Sequence, residues 1–271
     1  MNQPYRHIYL SPHLDDAALS CGGMIYAQSQ RGEPVLVVTV FAGIPDYTNL
    51  SAFARFQHEW WGNPADPVST RREEDRCACE ILGATPLHLD GLDAIYRRHP
   101  ETGDTLYNSD DDIFGPLHQA DHVRAEELAA RIVQMIAAEG AQLYAPLAAG
   151  NHVDHQLVRE AAIHLALQGL PVRFFEDFPY VADPGTLVDA LAASAPGGWR
   201  AHTWLLDDAA MEHKRAALAC YASQNPVIFR HGPGMEAQVD AYARRVGHGQ
   251  PAERVWELVL TSEGHLSASS S

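Results

Sequence analysis

Short apolar runs alternate with stretches of helical period through the first two thirds of the chain. Ile8-Tyr9-Leu10 reads as a first strand. Asp15 to Arg31 reads as a helix stopped by Gly32, with Ala17, Ala18, Gly22 and Gly23 small enough for close packing on a sheet. Val35 to Phe41 is continuously apolar or β-branched, which suits a central parallel strand buried on both faces. A helix capped by Ser69 or Thr70 is predicted over Arg71 to Leu82, ended by Gly83, with Leu87-His88-Leu89 as the next strand. Asp121 to Glu139 places Leu128, Ile132, Val133 and Ile136 on one helical face. Leu143-Tyr144-Ala145, a helix from His152 to Gln168, and a strand from Val172 to Phe175 continue the series. Past residue 176 only a helix at Asp207 to Tyr221 and a strand at Val255 to Leu260 stand out.

Strand alternating with helix predicts an α/β fold: a Rossmann-like, doubly wound, mostly parallel sheet with helices on both faces, in a single domain. Residues 1–266 are assigned to that domain and the serine-rich 267–271 to a disordered tail. Two segments interrupt the alternation. Ala42 to Pro67 is aromatic and rich in turn formers, with a short helix around Phe53 to Trp61. Asp90 to Gln119 is polar and irregular, and a connection of that length in a compact domain is often part of a binding site.

Composition narrows the function classes. Hydrophobic residues make up 46% of 271, an ordinary globular value. A net charge of -16 argues against nucleic acid, whose phosphates it would repel, and fits a neutral or cationic ligand. Met1 to Arg6 is polar, and no apolar run reaches membrane-spanning length, so neither a signal peptide nor a membrane partner is expected. Cys21, Cys77, Cys79 and Cys220 make no zinc-ribbon pattern and are expected to be buried free thiols in a reducing, cytoplasmic setting. An oligomer is compatible with all of this.

The chemistry gathers at two predicted strand ends. Ser11-Pro12-His13-Leu14-Asp15-Asp16 follows the first strand, and Asn151-His152-Val153-Asp154-His155 follows the Leu143 strand. Open α/β sheets bind ligands at the carboxyl edge. His13 and Asp16, three apart at a strand-to-helix junction, can turn to one point, and His155 arrives from the second edge. These make a two-histidine, one-carboxylate set for zinc, which can lower the pKa of a bound water to about 7. Iron(II) or another divalent metal suits the same ligands. Asp15 is then free to act as general base, and His152 as general acid or oxyanion stabiliser. Asp154 can orient an imidazole from behind.

At these residues the chain resembles the PIG-L/LmbE-like family of zinc-dependent N-deacetylases. Pro12-His13-Leu14-Asp15-Asp16 matches its Pro-His-x-Asp-Asp motif, and His152-Val153-Asp154-His155 its His-x-Asp-His motif. The likeness continues in Arg71-Arg72-Glu73-Glu74, Asp90-Gly91-Leu92-Asp93-Ala94 and Phe175-Glu176-Asp177-Phe178-Pro179-Tyr180. It extends to Lys214-Arg215-Ala216-Ala217-Leu218 with Tyr221-Ala222-Ser223-Gln224. The resemblance implies hydrolysis of an N-acyl group, commonly acetyl, from a small-molecule amino sugar or glycoconjugate. It implies His13, Asp16 and His155 as ligands, Asp15 as base and His152 as the second catalytic residue. Val153 stands where the family often has proline, and Gly150 where several sugar-specific members have tyrosine.

Arg71 is expected to hold a sugar hydroxyl or phosphate, as its family counterpart can, or to pair along its helix with Glu74 or Asp75. Asp93 is expected to bind a sugar hydroxyl or to form a turn. Glu176 and Asp177, placed after a strand, read as structural or as lining the pocket's rim; Lys214, Tyr221 and Gln224 read as structural, and Phe53, Phe56, Trp60 and Trp61 as loop packing or a stacking surface. The alternative substrate is a thiol conjugate or decorated natural product cleaved by the same site. A non-hydrolytic nucleotide-binding module is disfavoured, because no Gly-x-Gly-x-x-Gly follows the first strand and acids occupy that junction.

Overall fold

Seven strands among the described residues form one sheet: β1 (His7–Ser11), β2 (Val35–Thr39), β3 (Thr85–His88), β4 (Gln142–Pro146), β5 (Val172–Phe175), β6 (Gly197–Leu205) and β7 (Ala252–Leu260). Their order is β3-β2-β1-β4-β5-β7-β6. The computed structural model describes residues 5–62, 65–135, 140–193 and 197–260. The first five strands pair in parallel, whereas β7 is antiparallel to β5 and β6 to β7. The expected Rossmann-like, mostly parallel architecture is therefore present. β1, β2 and β4 are sealed on both faces, with Ile8, Tyr9, Leu10, Val37, Val38, Leu143 and Tyr144 buried. That is why their sequences read as unbroken apolar runs.

Helices α1 (Asp16–Gln30), α3 (Pro67–Leu82) and α8 (Asp208–Ala219) pack together as one layer, and α5 (Val123–Met135) and α6 (Val153–Leu167) as the other. The two glycines of α1 are small for a reason other than the sheet. A Cβ on Gly23 would lie 2.5 Å from a Leu206 methyl, and one on Gly22 3.1 Å from Cγ of Lys214. The close approach is thus to α8 and the segment before it. The buried Glu253 carboxylate of β7 accepts from the Gly23 and Met24 backbone N–H groups and, at 2.6 Å, from Lys214 Nζ.

Several expectations shift. α3 begins at Pro67 and is capped by Asp66, whose Oδ1 accepts from the Ser69 N–H at 3.0 Å; neither Ser69 nor Thr70 is the cap. Gly83 ends that helix in the left-handed conformation, as expected. The strand expected at 87–89 lies at Thr85–His88. The helix expected over 121–139 spans Val123–Met135, with 136–139 outside the described residues, as is the tail at 267–271. Cys77 and Cys220 are joined in a disulfide linking α3 to the end of α8, while Cys21 and Cys79 are free and buried. Partners 143 positions apart leave no spacing signal, so the four-thiol expectation holds for only two. The cysteines therefore no longer argue for a reducing compartment. No helix among the described residues is long and apolar enough to cross a membrane.

Candidate active site

The strand order reverses direction between β1 and β4, and a doubly wound sheet opens a crevice at such a point. The His13–Asp16 junction and the loop from Leu147 to His152 meet there. His13 donates from Nε2 to Asp154 Oδ2 at 2.8 Å, which leaves Nδ1 3.3 Å from Asp16 Oδ2. His155 donates from Nδ1 to Asp177 Oδ1 at 2.7 Å, which leaves Nε2 3.3 Å from the same Asp16 oxygen. Each imidazole is thus turned by a carboxylate behind it, the arrangement that fixes metal-binding histidines. The rear carboxylates are themselves held. Asp154 accepts from the Ala94 N–H at 3.0 Å and from Arg97, and Asp177 accepts from the Ala149 N–H at 2.9 Å.

Donor spacing tests whether a metal fits. Bonds of about 2.0–2.1 Å in tetrahedral array place neighbouring donors about 3.3–3.4 Å apart, which is the separation of Asp16 Oδ2 from each ring nitrogen. The electrostatics agree. Burial opposes charge on His13 and His155, yet the surrounding acids win, holding the His13 pKa well above its ordinary value and raising that of His155 to about 9. Asp16, despite burial, is held well below the usual carboxylate range by the two histidines. Carboxylates that keep imidazoles charged against desolvation create a negative potential there, which favours a cation that displaces the ring protons. Among the described residues two trios also bring all their ligand atoms within 4.8 Å of one another: His13 with His152 and His155, and His13 with Asp93 and Asp154. The Asp154 carboxylate in that second group already accepts from Arg97 and from the Ala94 N–H, which leaves it less free to hold an ion.

Asp15 stands beside this set with its Oδ2 3.6 Å from Arg71 Nη2. Burial raises its pKa to about 6, against the lowering pull of Arg71. His152 caps α6, its Nδ1 accepting from the Asp154 N–H at 3.2 Å. Burial and the nearby His13 push its pKa well down, so it is neutral with its proton on Nε2. Asp154 touches it only through the backbone, because the carboxylate serves His13.

The structure brings His13, Asp15, Asp16, Arg71, Asp93 and His152 to the lining of one cavity of about 770 Å³, with His155 and Asp154 buried behind it. Arg71 turns inward under Trp61 rather than along its helix. Its expected helical partners are taken: Asp75 by His88 and Tyr221, Glu74 by Ser223. Asp93 forms the expected turn, accepting from the Ile95 N–H at 3.2 Å, and its Oδ2 also lies 3.6 Å from His13 Nε2. Phe56 and Trp60 of α2 (Ala52–Trp60) reach the cavity mouth about half exposed, and Phe114 joins them from the long irregular connection. Two residues have more to do than the sequence suggested. Asp177 orients His155, and Tyr180 lines the cavity with its ring edge-on to His155 at 5.9 Å. Both follow the end of β5, at the same sheet edge to which the parallel strands β1 and β4 deliver their site residues.

Comparison with known proteins follows the same lines. The family described as GlcNAc-PI de-N-acetylase, PIG-L, matches residues 8–166. The 2'-N-acetylparomamine deacetylase of Niallia circulans is 30% identical, covering 83% of this chain and 82% of that protein. The zinc-inhibited form of teicoplanin deacetylase Orf2 superposes with a TM-score of 0.83 at 30% identity, over 95% of this chain and 99% of that one. The A40926 pseudoaglycone deacetylase Dbv21 gives 0.75 at 29% identity, over 95% and 98%.

Proposed function

The chain belongs to the PIG-L family of de-N-acetylases, and from that membership we propose that it hydrolyses the N-acetyl group of an amino sugar carried on a larger natural product. The observation that carries this reading is the convergence of two imidazole nitrogens on one Asp16 oxygen at 3.3 Å each, with a second, unshared carboxylate next to them. His13, Asp16 and His155 would hold a divalent ion, for which zinc suits the donors; it would supply a Lewis acid that acidifies water and polarises the acyl oxygen.

The chain's own groups do the rest. Asp15 accepts the proton of the attacking water, and Arg71 keeps that carboxylate aimed and ionised. His152, with Nε2–H available, is placed to hydrogen-bond the reacting amide. Asp154 and Asp177 hold the imidazoles in register. Asp93 is available to a sugar hydroxyl. The aromatic rim of Phe56, Trp60 and Phe114 offers faces for the sugar or for what it is attached to. Relatives named for acetylated paromamine and for teicoplanin support a decorated natural product over a free sugar.

The test is acetate release by zinc-loaded protein from a panel of N-acetyl amino sugars and their glycosides, with metal content measured alongside. His155→Ala should lose most of its metal, whereas His88→Ala, remote in the Asp75 network, should not. Asp15→Asn should keep the metal and lose roughly two to four orders of magnitude in turnover, the scale of a missing general base. Full metal occupancy in His155→Ala would sink the ligand assignment. No acetate from any panel member, with metal bound, would sink the activity.

A further inference from the structure

The loop between β4 and α6 is wound tightly, with positive φ at Ala148 (61°), Gly150 (84°) and Asn151 (62°). Its glycine is kept open by another residue. A Cβ built on Gly150 would lie 2.5 Å from Cγ, 2.6 Å from Cδ1 and 2.8 Å from Cβ of Tyr180. Contacts under 3.0 Å with the root of a ring cannot be relieved by a small rotation, so the space beside residue 150 belongs to the Tyr180 side chain. The ring is clamped edge-on between His155 and Phe114, each at 5.9 Å between centroids. The hydroxyl is different. It makes no hydrogen bond to a described residue, although four carboxylates, Asp16, Asp15, Asp177 and Asp93, act on it. A tightly held ring with an uncommitted O–H on the wall of a reaction cavity is available to a ligand.

Its direction of approach suggests which ligand atom. Asp15 comes from the end of β1 and Tyr180 from beyond the end of β5, so they flank the end of β4, which delivers His152 and His155. An acyl group bound there can turn its carbon to a water on Asp15 and its oxygen toward the opposite wall. A phenol of ordinary pKa near 10 keeps its proton at neutral pH, so Tyr180 acts as a donor and not as a base.

We propose that Tyr180 is a further catalytic residue, whose O–H donates a hydrogen bond to the acyl oxygen as negative charge collects on it; this rests on the deacetylase reading above. The water oxygen bonds to the acyl carbon, the C=O π pair moves to the acyl oxygen, and the water's proton goes to Asp15. When that pair returns, the C–N bond breaks, the nitrogen takes back a proton, and acetate and free amine leave. Tyr180 keeps its proton throughout and is worth most between those two events.

Tyr180→Phe preserves the ring and removes only the donor. In zinc-loaded enzyme kcat should fall roughly 10²- to 10³-fold, the scale of a lost oxyanion donor, with KM within about twofold and metal content unchanged. Gly150→Ala, which dislodges the ring, should lose turnover similarly without touching the hydroxyl's chemistry. Calorimetry with acetate, the product, gives a readout that needs no turnover, and Tyr180→Phe should bind it more weakly. Unchanged kcat and acetate affinity would overturn the proposal. A raised KM at constant kcat would also overturn it, assigning Tyr180 to sugar binding. If wild-type protein releases acetate from no substrate, the deacetylase reading fails, and unchanged acetate binding by the variant then removes Tyr180's role as well.

Discussion

Asp15 and Asp16 are adjacent in sequence and opposite in chemistry. Asp16 is shared by two imidazoles and is held well below the usual carboxylate range. Asp15 is raised by burial to about 6, restrained by Arg71 3.6 Å away. A base must be ionised to accept a proton, so kcat/KM should rise with pH through an acid limb at about 6, or lower once a dication sits in the neighbouring donors. Arg71 favours the charged form, so its removal works in the opposite direction: in Arg71→Met the limb should move up by about one pH unit, within the range of a neighbouring guanidinium's effect. A pH–rate series on the two proteins reads this directly, and an unmoved limb would separate Arg71 from Asp15. His13, Asp15, Asp16, His152 and His155 were legible in the sequence because each cluster is contiguous and sits at a strand end. Asp177 was not assigned to His155, because its partner is 22 positions away and an acid after a strand has many structural uses. Arg71 could not be aimed either, since only the tertiary fold removes Glu74 and Asp75 as partners.

Elements obeyed their hydrophobic period wherever both faces, or one clean face, are buried. β1, β2, β4 and β5 were found for that reason. β6 (Gly197–Leu205) is an edge strand with alternating half-exposed and exposed positions, and α7 (Pro184–Ala192) buries only Ala190, so neither pattern rises above its surroundings. α1 shows what periodicity cannot express. It is buried on nearly every side, and its glycines answer to Leu206 and Lys214, residues with no local signature. The ion pair beneath it sets a stability prediction. Lys214 and Glu253 are both almost fully buried, 2.6 Å apart, and Glu253 also takes two backbone N–H groups of α1. Lys214→Met strands that carboxylate and should destabilise the fold by about 3–5 kcal/mol in denaturant titration, as breaking a buried pair does. A loss below about 1 kcal/mol would mean that the α1 amides alone satisfy Glu253.

Across the whole molecule, charge and shape are distributed unevenly. The chain carries a net -16, yet the cavity wall away from the donors has a large apolar and aromatic share, Phe56, Trp60, Ile113, Phe114, Val227 and Ile228, set among Gln57, Asp110, Gln224 and His231, with Arg230 stacked on Trp60 at 5.0 Å. The acids Asp15, Asp16, Asp93 and Asp154 gather at the floor, where the donors lie, and the aromatic faces of Phe56, Trp60 and Phe114 lie farther out. This division separates chemistry from recognition. The floor acts on the N-acetyl group in any substrate, while the rim engages only a substrate large enough to reach it. A Phe56→Ala/Trp60→Ala variant should therefore raise KM for a bulky N-acetyl glycoside about three- to tenfold, the equivalent of one or two lost aromatic contacts, and leave kcat unchanged. The same variant should treat a free N-acetyl amino sugar as the parent enzyme does, because that substrate does not extend to α2. An equal rise in KM for both would place the rim against the sugar itself, and a fall in kcat would mean that the rim positions the reacting amide.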